Sequence, residues 1–203
     1  MKNLTRALFC VVLAAIASLA FTQSPADKAA ASDKVIDHIR QVDLLNHILP
    51  MLFTKAQLNA ILPAIEKARQ AVDQTHDHEY HILIELDPKV TTAIDKAISD
   101  GQVPGRDFMK SLNDEFVKAD RIRQAMGGHN EAIVYDAVVA NLNSGQKKAM
   151  ANDLDPATVT PGLKVETMSD EQKIKFYIRN ILLDPLCYDL FQKLLKSSAI
   201  QDK

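Results

Sequence analysis

The chain carries 24 basic and 26 acidic side chains in 203 residues, a formal net charge of −2. That mildly acidic balance, with no long basic run, argues against nucleic acid and against an anionic membrane surface as the main partner. Of the two cysteines, Cys10 falls in an apolar N-terminal run and Cys187 stands alone. No intrachain disulfide is then expected, and Cys187 reads as a buried, inert thiol beside Leu186, Leu190 and Leu194.

Residues 1–20 read as a cleaved signal peptide. Lys2 and Arg6 form a positive start, and residues 7–21 carry no charge. The run is shorter than the roughly 20 apolar residues a membrane-spanning helix needs. Ser18 and Ala20 supply the small side chains required for cleavage after Ala20. Cys10 follows the bulky Phe9, which disfavours lipid attachment. The expected protein is exported, periplasmic or extracellular, with no stable membrane span after cleavage.

Residues 21–32 are small and polar and read as a flexible lead-in to a helical domain over 33–199. A first helix over 33–49 carries Val35, Ile36, Ile39, Val42, Leu45 and Ile48 at helical spacing and stops at Pro50. A second opens at Thr54, and its apolar positions run on through Leu58, Ile61, Ile65, Val72, Leu83 and Leu86. Pro63 lies inside it and is expected to kink it, because a backbone donor is lost there.

Three Leu-Asp-Pro triplets punctuate the chain, at Leu86-Asp87-Pro88, Leu154-Asp155-Pro156 and Leu183-Asp184-Pro185. Asp caps a helix and Pro suits its first position, so each reads as a helix end followed by a new start. Helices over 88–99 and 106–126 follow, the latter stopped by Gly127-Gly128. Then come a helix over 130–141, an irregular stretch over 153–167, and paired helices over 169–183 and 185–197. No segment alternates with period two. The fold class is all-α, a single-domain bundle of about seven to eight helices with a kinked long second helix.

A short pattern recurs in Phe53-Thr54-Lys55-Ala56-Gln57, Leu142-Asn143-Ser144-Gly145-Gln146 and Met168-Ser169-Asp170-Glu171-Gln172. Each places an apolar residue, a capping side chain, two spacers and a Gln. The capping oxygen accepts from a free amide in the first helical turn, and the Gln reaches back to the cap's own amide. These pentapeptides resemble the Leu-Thr-x-x-Gln motif of small periplasmic helical proteins of the Spy/CpxP type. The first copy has Phe53 in place of Leu, the second has Asn143 in place of Thr, and the third retains only Gln172. The resemblance implies a stress-induced helical protein that acts on a protein partner or unfolded client, as a homodimer. The order of elements also resembles uncharacterised exported bacterial proteins, a resemblance that implies no function.

The densest chemistry lies in His76-Asp77-His78-Glu79-Tyr80-His81. At about 100° per residue the three histidines do not share a face. His76 falls near the stripe of Val72 and Leu83. His78, His81 and Glu85 stand at i, i+3 and i+7, a spacing able to present two imidazoles and a carboxylate to zinc, nickel or copper. The spacing is not that of a His-Glu-x-x-His metalloprotease. No nucleophile elbow, phosphate loop, paired-cysteine motif or dinucleotide fingerprint occurs, so no catalytic or cofactor-binding residue is assigned. The leading expectation is a non-catalytic helical binding protein, a chaperone or stress adaptor. A metal sensor or buffer using His78, His81 and Glu85 comes second, and an enzyme with an unrecognised site third.

Overall fold

A computed structural model describes residues 24–162, 165–200 and 202. The expected signal peptide, residues 1–20, lies outside the described residues. Every regular element among the described residues is helical. The chain divides into two units, Met1–Asp43 and Leu44–Lys203.

Within the first unit, helix α1 (Pro25–Ile48) begins well before Asp33. Ser24 and Asp27 cap it reciprocally: the Asp27 amide donates to Ser24 Oγ, and the Ser24 amide donates to Asp27 Oδ2, each at 3.1 Å. Three consecutive alanines, Ala29 to Ala31, then favour helix. Residues 25–32, expected to be a flexible lead-in, are therefore helical. Val35, Ile36, Ile39 and Val42, expected as a core stripe, are all more than half exposed.

The second unit takes over at Leu44 and Ile48, where α1 becomes buried. A 3-10 turn (Leu49–Met51) follows, and Leu52 adopts a left-handed backbone with φ 49°. Thr54 then caps α2 (Lys55–Asp100), which contains both Pro63 and Pro88. Gly101 closes α2 with φ 66°, its amide donating to the Lys96 carbonyl; a side chain there would be strained. Helix α3 (Arg106–Asn141) returns antiparallel after this short turn. At about 1.5 Å per residue, α2 alone is about 70 Å long.

Two long helices thus stand where four were expected between Thr54 and Asn141. Pro88 and Gly127-Gly128 do not interrupt them. The physical reason is pairing. Half-buried Leu86 and Val90 flank Pro88, half-buried Met126 and buried Asn130 flank Gly127-Gly128, and Asn130 bonds the Ala68 carbonyl of α2, so tertiary contact outweighs a local loss of propensity. Of the other two Leu-Asp-Pro triplets, the first behaves as expected, whereas at the second Asp184 does not cap the next helix, which begins only at Cys187 with Leu186 as its uncapped N-terminal neighbour. Asp155 Oδ1 accepts from the Ala157 amide at 3.0 Å and starts α5 (Pro156–Val159). Asp184 Oδ1 accepts from the Leu186 amide at 2.9 Å in the turn before α7 (Cys187–Leu195). Between them lie α4 (Ser144–Asp153), a 3-10 turn (Val165–Thr167) and α6 (Asp170–Tyr177). A π-helical segment (Ile178–Leu182) extends α6.

The core gathers Leu58, Ile61 and Ile65 of α2, Val134 and Val138 of α3, and the inward faces of the C-terminal helices. Phe53 meets Phe191 edge to face, with ring centroids 5.7 Å apart. Tyr177 is fully buried, and its hydroxyl donates to the His47 carbonyl at 2.8 Å. His47 Nδ1 lies 2.6 Å from Asp153 Oδ2, tying the end of α1 to the end of α4.

All three capping boxes form, with Thr54, Asn143 and Ser169 each accepting from the amide of the Gln three residues on. The first two are also joined. Gln57 Nε2 donates to Gln146 Oε1 at 2.8 Å, and Gln146 Nε2 donates to Gln57 Oε1 at 3.0 Å. Gln146 Nε2 also points at the Met51 and Leu52 carbonyls, at 3.1 and 3.2 Å. Gln146 is buried and Gln172 exposed. Gln146→Ala is therefore expected to lose about 2–3 kcal/mol in chemical denaturation, because it strands several buried polar groups. Gln172→Ala is expected to lose about 0.5–1 kcal/mol, the contribution of an exposed cap.

Burial pushes the Tyr177 hydroxyl and the Cys187 thiol well above their ordinary values of 10.0 and 9.0. Both groups are held neutral in the fold but ionise freely when the chain unfolds. Their stabilising effect is thus complete below pH 9 and declines as pH rises past the two unfolded values. The denaturation midpoint is expected to hold through neutral pH and fall above about pH 9. Phe and Ser at positions 177 and 187 are expected to flatten that decline.

Candidate functional site on the α2/α3 hairpin

Beyond Val72 on α2 and before Met126 on α3, the two helices pack along a seam in which, among the described residues, only Thr75 and Ala119 are buried. Ile82 and Leu86 of α2 face Glu115 and Ala119 of α3 along this seam, and of these only Ala119 is fully buried. Helical geometry fixes what flanks the seam. Taking Ile82 as reference, His78, His81 and Glu85 rotate to one side of α2, while Glu79 and Leu83 rotate to the other. On α3, Ser111 and Lys118 fall on the first side, Phe116 and Arg123 on the second.

The first side is a polar groove of about 410 Å³. It contains all three residues predicted as metal ligands, His78, His81 and Glu85, together with Lys89, Glu115 and Lys118. The structure therefore brings the predicted trio into one groove. It does not bring them to a point: among the described residues, no group of three or more His, Cys, Asp or Glu side chains is arranged to hold a metal ion. Lys89 and Lys118 further oppose a cation, although Glu115 lies 3.7 Å from Lys118 and offsets one of them. His76 is exposed and lies outside this groove.

The second side is apolar. Leu83 and Phe116 line one shallow recess there and are 54% and 57% exposed. Tyr80 is 61% exposed one turn away from Ile84, itself more than half exposed. The ion pair between Arg123 Nε and Glu79 Oε1, at 2.6 Å, borders the recess and spans the hairpin. The sequence placed Leu83 in the buried stripe. In the structure Ile82 takes the seam and Leu83 falls at its edge, because only one helix covers this part of α2.

Cys187 is fully buried with its thiol held protonated by desolvation, as its neighbours implied. It offers no nucleophile to solvent. Comparison with protein-family models, with curated proteins and with solved structures finds no match to this chain.

Proposed function

We infer that this chain is an exported, non-catalytic helical protein that binds other polypeptides, as a chaperone or stress adaptor, through the apolar side of the α2/α3 hairpin. The observation that carries this reading is the exposure of Leu83 and Phe116 side by side on one face of the hairpin. Soluble proteins rarely leave large apolar side chains uncovered as neighbours unless the patch meets a partner. The Glu79–Arg123 pair gives the patch a polar border. A lightly packed hairpin also adapts to irregular apolar segments more readily than a rigid core does.

Light scattering from a thermally aggregating model client is the direct test. The protein is expected to suppress aggregation, and the Leu83→Ser, Phe116→Ser double variant to suppress it at least about threefold less at equal concentration. That factor corresponds to losing part of the ~1.5–3 kcal/mol each buried apolar side chain contributes. Both residues are exposed, so the variant's unfolding midpoint should stay close to that of the parent. Equal suppression by parent and variant, or none by either, would remove the reading.

A second reading is favoured by the shared groove of His78, His81 and Glu85. In it the protein buffers or senses zinc, nickel or copper, with rotation of these side chains and water or a second chain completing the shell. Calorimetry with each metal is expected to give binding that His78→Ala with His81→Ala abolishes. Absence of binding, or binding unchanged in that variant, would eliminate this role.

A further inference from the structure

Besides its seam with α3, helix α2 carries a second apolar stripe. Tyr80, Ile84, Ile94 and Ile98 are 61%, 54%, 51% and 80% exposed. Relative to Ile82 they rotate by about 120–200° around the helix, which puts them on the face turned away from α3. The outer positions of α3, Val117 apart, are polar: Lys110, Asp114, Arg121 and Gln124. A solvated helix face is normally of that kind, and the outer face of α2 is not.

The stripe also has a regular repeat. Tyr80, Ile84, Asp87, Thr91, Ile94 and Ile98 follow one another at steps of four and three, the spacing of a coiled-coil seam. Such a seam calls for a second helix, and the order of its residues identifies which. Read backwards, the stripe matches itself. With two copies of α2 antiparallel about Lys89, Tyr80 of each stands opposite Ile98 of the other, Ile84 opposite Ile94, and Asp87 opposite Thr91. The four outer layers are then apolar, and in the two central layers a carboxylate meets a hydroxyl donor.

Other arrangements of the same two helices fit worse. A slip of one heptad sets Ile84 on Asp87 in one direction and Ile98 on Asp87 in the other, burying a carboxylate against an apolar side chain. Parallel pairing sets Asp87 on Asp87, two like charges in one layer. In the antiparallel register the flanks also agree. His81 of each copy borders Asp95 of the other, an imidazole donor beside a carboxylate, and Val90 meets its own counterpart. Gly101, where the chain turns back, comes opposite Asp77 of the second copy. The tip of each hairpin therefore stops short of the partner's first buried position, Thr75.

We propose that a second copy of this chain covers the outer face of α2, in an antiparallel two-fold pairing centred on Lys89. The footprint is about 27 Å by 10 Å, at the small end of specific interfaces, so the dimer dissociates on dilution. Phe116 lies on α3, outside this interface, and the pairing does not rest on the polypeptide-binding role.

Sedimentation over a dilution series is expected to show reversible pairing of the protein. Ile84→Lys with Ile94→Lys should weaken it at least about tenfold, because unpaired charge is placed in the seam. Both positions are exposed, so the unfolding midpoint of the dilute variant should stay close to the parent's. Phe116→Ser should leave pairing unchanged. The register is read by oxidation in a Cys10→Ser background, since Cys187 is buried. Ile84→Cys chains mixed with Ile94→Cys chains should form a covalent dimer, and each alone should form little. A chain that stays monomeric at every concentration, pairing undiminished by the two lysines, or a covalent dimer formed as readily by Ile84→Cys alone overturns the proposal.

Discussion

The second unit depends on one pair of amides, the buried Gln146 and the half-buried Gln57. Gln57 and Gln146 each complete the capping box of their own helix and then bond to one another in both directions. Every polar atom of the pair is used. Gln57 Oε1 accepts from the Thr54 amide and from Gln146, and Gln57 Nε2 also donates to the Asn141 carbonyl. Gln146 Oε1 accepts from the Asn143 amide, and its Nε2 reaches the Met51 and Leu52 carbonyls. A buried polar network is stable only when complete, and this one is. It sets the start of α2 against the start of α4 and holds the turn at Leu52, whose left-handed backbone costs about 1–2 kcal/mol in isolation. The direction in which α2 leaves the core follows from it.

Along α2 and α3 the packing thins away from that anchor. Fully buried positions on α2 reach Thr75, and those on α3 resume at Asn130, with Ala119 between them. In the distal part each helix covers only a narrow stripe of the other. Local opening free energy should therefore fall from the core toward the turn at Gly101. The exposed Glu79–Arg123 pair adds little to this stability, because solvent-facing ion pairs contribute at most about 1 kcal/mol. What the hairpin presents is thus presented on its least rigid part.

Local features were legible in the sequence and paired ones were not. The three boxes at Thr54, Asn143 and Ser169 are read correctly because cap and Gln lie within one helical turn. Asp155 is read correctly for the same reason, whereas the helix after Asp184 starts later, at Cys187, without a side-chain cap. Pro88 and Gly127-Gly128 mislead because a break in one helix is judged there without the partner that spans it. Leu83 misleads because its stripe is apolar, yet only one helix is present to cover it. Val35, Ile39 and Val42 have the spacing of a core face and are exposed. Periodicity reports that a helix has an apolar side, not that anything lies against it. His78, His81 and Glu85 do share a groove, since their rotation about one helix is fixed by spacing alone.

A two-helix hairpin has no layer behind its seam. The polar groove and the apolar recess are therefore back to back, separated by the single layer that contains Ile82, Leu86 and Glu115, residues that border both. In a globular core, a change on one face is buffered by several layers of close-packed side chains. Here a shift of Ile82 toward the groove would directly alter the support beneath Leu83. Charge follows the same division. Lys89 and Lys118 face the histidines, whereas the charges that line the apolar side are Glu115, shared with the groove, and the Glu79–Arg123 pair at its border. One pair of helices thus offers two chemically opposite surfaces at a separation of one side chain, a consequence of leaving the distal hairpin unpartnered within its own unit.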